Sequence, residues 1–484
     1  MTQTEASGSS VRNLPWLIWV VVIFGSISSA GFGFDQAWWA SLMSSPHHWG
    51  RGLVTLELSL EFSADRLSMS CSEEKKALWI QTVIVTIGII IESTCKASYA
   101  QFIVGKLIVY LGGGIATSII PAYQGECAPT SLRGLMSGTY NAFLMIGGLV
   151  AALIVYLCRQ ISSDWAWRVV VVAQIAIPVA GWVSLPFLPE SPHWLVSRGR
   201  LDEAVVALRR LRGPFFPAEA EVVALQQHFQ RQRERLASAT WAVCFTDPVN
   251  RRRTLICVGA QIFQQAQGIS FVANYQAVFL QQIGFKEVLL MSVVVYVIGV
   301  VANLISMVTT DMLGRRNVLM CSALFLGACM FIIGGLTAGG PTDMSYTMQV
   351  TAVVMLMLWF FAFQVTWGPL TWVLTAEVPP SQVREKTVAL SGMGAYVTGL
   401  VIVFVNPYTQ ADIGGQVAFV YGALSIVSFV FAWFFIPEMR QRTLEQIDEM
   451  FQDGLATRSF KSHICRSPGE TAVKEESDEF VENA

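Results

Sequence analysis

Residues 288–309 read Val288-Leu-Leu-Met-Ser-Val-Val-Val-Tyr-Val-Ile-Gly-Val-Val-Ala-Asn-Leu-Ile-Ser-Met-Val-Thr309, without one charged side chain. A helix of about 18 residues already crosses a bilayer core of about 30 Å. Lipid cannot hydrogen-bond the backbone, so a spanning segment is a helix or a strand of a closed barrel. Barrel strands alternate in polarity, whereas this run stays apolar, so it is a helix. Runs of the same kind recur at about 14–34, 78–95, 102–123, 135–157, 169–188, 255–276, 317–337, 348–374, 388–407 and 416–436. The chain of 484 residues is 53% hydrophobic and only 14% charged, where a soluble protein carries about 25% charged residues. The predicted fold class is an all-α polytopic membrane protein with eleven clear spans.

Several function classes are excluded by composition. A net charge of −2 gives no footing for nucleic acid. The nine cysteines are scattered without metal-ligand spacing and read as small buried hydrophobes. With five histidines and no nucleophile–His–acid set, no enzyme chemistry, metal or cofactor is expected. The first apolar run exceeds a signal-peptide core and lacks a small-residue cleavage pattern, so it is expected to remain as a span.

Between the fifth and sixth runs lies a polar stretch rich in arginine, from Arg198 to Arg253, which the positive-inside rule assigns to the cytosol. Within it, 201–211 and 218–236 have the period of short surface helices. The expected divisions are an N-terminal bundle (1–188), a cytosolic loop (189–254), a C-terminal bundle (255–437) and a largely disordered tail (438–484). Transporters are often built from two six-helix halves, and here the first half shows five runs. Five crossings would put the N-terminus outside and six would put it inside. The stretch 44–77 would have to supply the sixth, but Glu57 and Glu61 interrupt its short apolar window. A central acidic residue costs a few kcal/mol on insertion. An interfacial helix, a span held by its neighbours and a defective gene model all remain open for it.

The loops carry ordered motifs. They are Pro121-Ala-Tyr-Gln-Gly-Glu126-Cys-Ala-Pro129-Thr-Ser-Leu-Arg133-Gly134, Pro189-Glu190-Ser191-Pro192-His193-Trp194, Gln264-Gln265-Ala-Gln-Gly268, Asp311-Met-Leu-Gly314-Arg315-Arg316, Gly368-Pro369-Leu-Thr-Trp372 with Glu377 and Arg384, and Pro437-Glu438 followed by Leu444-Glu445. Together, in order and spacing, they resemble the sugar porter family of the major facilitator superfamily, fungal members in particular. The resemblance covers about 14–45 and 75–451. It implies two helical bundles, nominally six and six, around a central cavity.

Charges at span ends persist only where they reach water or a partner. The pairs Glu126 with Arg133, Glu377 with Arg384, and Asp311 with Arg315 and Arg316 are read as a gate with two discrete arrangements, to which Glu190 and Glu438 belong by resemblance. The bland alternative is that they snorkel and fix topology. A first copy of the Asp-x-x-Gly-Arg-Arg motif should stand near Asp65-Arg66, but the Gly-Arg-Arg is missing there.

Asp35 closes the first run, and an intramembrane carboxylate is a functional candidate by default, with a helix cap in headgroup water as the alternative. The resemblance implies a proton-coupling pair with the fourth helix, where this sequence has Gly105-Lys106. Lysine keeps the charge and loses the guanidinium fork. A sugar site needs amides and aromatic faces to replace water. Gln264, Gln265 and Trp372 match family cavity residues, and Asn141, Asn274 and Tyr275 stand near others, with polar helix glue as the alternative. Ser270, Gly299, Ala395 and Gly399 fall where the family carries asparagine.

The expectation is a secondary active transporter of a sugar-like solute, driven by a proton gradient and working as a monomer in the lipid bilayer of the plasma membrane. A carrier of another small molecule, such as a cyclic acid or secondary metabolite, and an inactive porter lacking its second helix are the alternatives.

Overall fold

Long apolar runs, broken only at glycine, proline and short polar loops, give a chain of helices. The computed structural model describes residues 15–42, 74–95, 99–129, 133–161, 165–237, 240–285, 287–312, 314–339, 344–380, 382–440, 442 and 444–461. The helices of the first half are α1 (Trp16–Leu42), α2 (Glu74–Ser93), α3 (Tyr99–Cys127), α4 (Arg133–Cys158), α5 (Trp165–Gln174) and α6 (Ala176–Ser184). An arginine-rich group follows, with α7 (Pro192–Ser197), α8 (Leu201–Arg212), α9 (Ala218–Ala237) and α10 (Val243–Thr246). The second half holds α11 (Pro248–Gln264), α12 (Ser270–Gln282), α13 (Val288–Met312), α14 (Arg315–Thr337), α15 (Tyr346–Val365), α16 (Trp367–Glu377), α17 (Arg384–Ile413) and α18 (Val417–Phe435), and α19 (Leu444–Gln452) ends the described chain.

Among the described residues, ten helical stretches are long and apolar enough to cross a membrane. The last of them, 384–435, contains both α17 and α18, so the eleven predicted spans are all present. The first is longer than its apolar run predicts. It continues through Asp35 and Gln36 to Leu42 because Asp35 finds partners inside the bundle.

Each half has its own core. Leu17, Phe24, Leu78, Ile120 and Leu188 pack at one end of the first bundle, and Phe34, Trp38, Ile89, Phe102 and Val171 at the other. The second bundle packs around Trp359, Trp367, Phe271 and Leu326. In the first half the starts of α1 and α2 meet around one polar hollow lined by Trp16, Lys75, Lys76 and Glu190. Their far ends share the second core cluster, so α1 and α2 run parallel from the arginine-rich end. Trp16 therefore lies at the same end as the arginine-rich group, as six crossings require and five do not. The questioned stretch 44–77 falls almost wholly on residues 43–73, outside the described residues.

Two boundaries need correction. The second bundle begins at Pro248 rather than 255, because Asp247 caps α11 through the backbone N–H of Val249 and Asn250. The fully covered Arg253 then pairs with Asp448 on α19. The tail expected to be largely disordered is in part docked. Phe451 and Phe460 are buried with ring centroids 5.0 Å apart, and Arg252 donates to the Leu455 carbonyl at 2.8 Å. These apolar and cationic contacts outweigh the polar composition up to residue 461, and the acidic end from 462 lies outside the described residues. In the arginine-rich group the two predicted surface helices are α8 and α9, packed through Ala207, Leu208 and Val222.

Candidate transport site

Two broken helices make the central cavity. Gln265–Ile269 winds as a π segment, with Gly268 at φ 106° and the Tyr421 ring beneath it. Only glycine tolerates that backbone without strain. The helix pair α15–α16 breaks at Thr366, two residues before Gly368-Pro369. Gln264 spans the break, with Nε2 donating to the carbonyls of Trp367 at 3.1 Å and Gly368 at 2.8 Å. Both amide protons are thus committed, so Gln264 offers a solute its oxygen. Gln265 Oε1 accepts from Ser270 Oγ at 3.0 Å.

These groups line a cavity of about 360 Å³ between the halves. Asn141 of α4 and Trp372 of α16 reach it from opposite bundles, as the sequence suggests. Asn274 and Tyr275 are on α12, but their side chains lie outside what is described. Sequence reasoning missed Gln36, Gln276, Gln364 and Asn303, which also line the cavity, together with Tyr296. The signal that would have found them is plain. Gln276, Gln364 and Asn303 are amides inside apolar runs, where an unpartnered polar group is costly, and Gln36 follows Asp35 just past the end of the first run. Gln364 Nε2 meets Met145 Sδ at 3.4 Å across the two bundles. Gly299 faces the same thioether, where a Cβ would lie 3.0 Å from Met145 Sδ and 3.2 Å from the Phe360 ring, while one at Gly399 would make ordinary contact with Gln265 and Ser270.

A second constellation lies in the first bundle. Asp35 and Lys106 are completely covered and pair at 2.7 Å. Asp35 Oδ1 also accepts from Trp38 Nε1 at 3.1 Å and Gln174 Nε2 at 3.0 Å. Its Oδ2 and the Gln174 Oε1 are buried without a hydrogen-bond partner, and both residues line a void of about 30 Å³. That is room for one water. The helix-cap reading of Asp35 is therefore replaced by a buried ion pair. Next to this pair α1 and α4 cross closely, since a Cβ at Gly33 or Gly147 would strike the backbone carbonyl of Leu144 or Ala30.

At the arginine-rich ends of the helices the charges pair differently from expectation. Glu126 accepts from Ser191 Oγ and lies 3.9 Å from His193 Nδ1, while the Arg133 side chain is outside the described residues. Glu190 accepts from the Lys75 backbone N–H at 3.2 Å. Glu377 pairs with Arg315 at 2.9 Å, and Arg384 donates instead to the Pro379 carbonyl at 3.4 Å. The reason is position: Arg384 opens α17 beyond the loop, whereas Arg315 opens α14 against the end of α16. Glu438 accepts from the Arg315 backbone N–H at 3.1 Å, and Arg316 donates to the Trp433 carbonyl at 2.8 Å. The Asp311 side chain is outside the described residues.

Two helical bundles with a polar cavity between broken helices define a multi-pass membrane protein of the transporter class. The chain matches the family described as "Sugar (and other) transporter" over residues 67–451 and belongs to it. It is 29% identical over 383 residues to the probable glucose transporter rco-3 of Neurospora crassa, covering 76% of this chain and 64% of that one. It is 26% identical to the low-affinity glucose transporter HXT1 of Saccharomyces cerevisiae, with 78% and 68% covered, and 27% identical to the high glucose sensor RGT2 of the same yeast, with 80% and 52% covered. The chain thus spans about half to two thirds of the length of these relatives. In fold it is similar to the inward open xylose transporter XylE from E. coli, with a TM-score of 0.75, 21% identity, and 90% and 99% of the two chains covered.

Proposed function

We propose that the protein is a secondary transporter that moves a neutral, sugar-like solute by alternating access, coupled to protons through Asp35. The carrying observation is that the cavity's described lining holds amides and rings and no ionised side chain. Such a lining exchanges hydrogen bonds with hydroxyl groups and gives a carboxylate solute no counter-charge. The glucose transporters among its relatives support the substrate class. Coupling rests on the separate Asp35–Lys106 pair, one residue from the cavity-lining Gln36. Protonating Asp35 removes the charge that holds Lys106, and this is the kind of local change that biases a two-state carrier. The plasma membrane is the setting this reading implies.

The apolar part of the wall, with Met145, Val272, Val295 and Phe360, favours as second reading a less hydroxylated ring compound. Reconstituted vesicles test both with radiolabelled hexoses, pentoses, polyols and cyclic acids. Neutral polyols or sugars should enter with alkalinisation of the outside, and Asp35→Asn should stop accumulation while leaving exchange. Accumulation in Asp35→Asn equal to the parent's removes the coupling role. Entry of acids alone removes the sugar-like class.

A further inference from the structure

When Asp35 takes a proton, Lys106 is left as a cation in the middle of a helical bundle. A buried ammonium without a counter-charge is very costly. The surroundings of Lys106 hold a feature that the ion pair itself does not need. Its Nζ stands 4.4 Å from the centroid of the Trp38 ring and 5.1 Å from that of Tyr110. Both rings are themselves fixed edge-on, Trp38 against Phe102 at 6.2 Å and Tyr110 against Phe32 at 6.1 Å. The faces are therefore presented in a set direction and do not have to be ordered when the charge appears.

We propose that Trp38 and Tyr110 form an aromatic cradle that holds the Lys106 ammonium in the proton-loaded state, making Tyr110 a positioning residue for coupling. The inference rests on the reading of Asp35 as proton carrier. Ring faces carry negative potential and attract a cation. In the paired state the adjacent carboxylate offsets that attraction, and Trp38 also holds the carboxylate through its Nε1, so Tyr110 is the ring whose contact with the pair is with its cation. After protonation the attraction acts on a whole charge. The cradle thus favours the loaded state more than the empty one, and only such a difference moves an equilibrium. The arrangement at Asp35 agrees. Its Oδ1 receives all three donors, so the bare Oδ2 beside the water-sized void is the oxygen that accepts the proton, and the contacts at Oδ1 can persist.

Other ionisable groups face the same region. Asp35 comes from α1. Glu92 comes from α2, with its chain against Gly105. Arg168 comes from α5, with its guanidinium on the Cys95 carbonyl at 3.1 Å. Helix α4 carries no Asp, Glu, Lys or Arg among its described side chains. Of these, Glu92 is the one group that could hold the ammonium in place of the rings.

The test is the pH dependence of solute accumulation in vesicles for the parent, Tyr110→Leu, Tyr110→Phe and Glu92→Gln. Solute exchange serves as the measure of folded protein. Removing a face disfavours the loaded state, so more protons are needed. The pH of half-maximal accumulation should fall by about one unit in Tyr110→Leu, the size expected for one desolvated cation–π contact. Tyr110→Phe keeps the face and should keep the parent's midpoint. If Tyr110→Leu does not reach the membrane, Tyr110→Met supplies a ringless side chain that packs flexibly. An unchanged midpoint in the ringless variant overturns the cradle, as does a downward shift in Glu92→Gln with none at Tyr110. Failure of the underlying reading looks different, because Asp35→Asn would then accumulate solute like the parent.

Discussion

The two halves of the molecule carry their charges in opposite ways. In the first bundle an acid and a base are both sealed in the core, where Asp35 and Lys106 are at most 1% exposed. In the second, Arg315 and Glu377 sit at the helix ends with 11% and 26% of their side chains exposed. Around the cavity the second bundle presents neutral groups instead, Gln264, Gln265, Gln276 and Gln364, and its fully covered cation, Arg253, pairs with Asp448 of α19. Neutral amides can exchange hydrogen bonds with a solute at little electrostatic cost, whereas a sealed ion pair responds mainly to a proton. Under the proposed function the difference separates the coupling pair, inside one bundle, from the recognition groups, which line the cavity between the two. Movement of one bundle against the other would then join them.

The sharpest way to break this comparison is to remove one partner from each pair. Lys106→Ala leaves a buried carboxylate facing only Trp38 and Gln174, and loss of one member of such a pair costs about 3–5 kcal/mol. Arg315→Ala leaves Glu377 able to reach water and should cost about 1 kcal/mol or less. Unfolding midpoints in detergent compare the two directly. The double variant Asp35→Asn with Lys106→Met removes both charges and should regain most of the stability without regaining coupling. Equal losses in Lys106→Ala and Arg315→Ala would erase the contrast between core and rim.

A smaller effect sharpens the division. Gln264→Ala removes the amide that ties the Trp367 and Gly368 carbonyls and the oxygen it turns to a solute. Losing hydrogen bonds of this kind weakens affinity about tenfold. The pH at half-maximal accumulation should stay where it is, because the Asp35 pair is in the other bundle. A shift in that pH together with affinity would mean that the two sites are one.

Much of this was legible in the sequence, and the limits have physical causes. Apolar length alone fixed the eleven spans, since only a helix can satisfy its backbone in lipid. Arginine-rich periodicity located α8 and α9. Gln264, Asn141 and Trp372 were found because amides and indoles in apolar runs are conspicuous. The same rule marks Gln276, Gln364 and Asn303, which belong to none of the quoted motifs, whereas Gln36 lies past the end of its apolar run. Pairing was harder to read. Glu377 and Arg384 are near in sequence, yet Arg315 reaches Glu377 because the end of α16 meets the start of α14, a contact made only in the folded bundle. The docked stretch up to residue 461 was hidden for a similar reason, since Phe460 looks solvent-exposed until Arg252 and Phe451 are brought beside it.

The least of the expected effects concerns the seam between the halves. Arg159, just beyond α4, and Glu287, just before α13, pair at 3.3 Å with 37% and 58% of their side chains exposed. Such a pair is worth at most about 1 kcal/mol and is screened by salt. It joins the outer ends of the two bundles, so its energy belongs to one arrangement of the carrier and not to the fold of either half. Arg159→Ala should therefore leave the unfolding midpoint unchanged and favour outward opening. The KM for uptake from outside should fall by no more than about fivefold, the factor equivalent to that energy. The parent should approach the variant as ionic strength rises, while the variant itself responds little to salt. A loss of stability in Arg159→Ala, or a KM difference that survives high salt, would mean that the bundles are fastened here and do not merely touch.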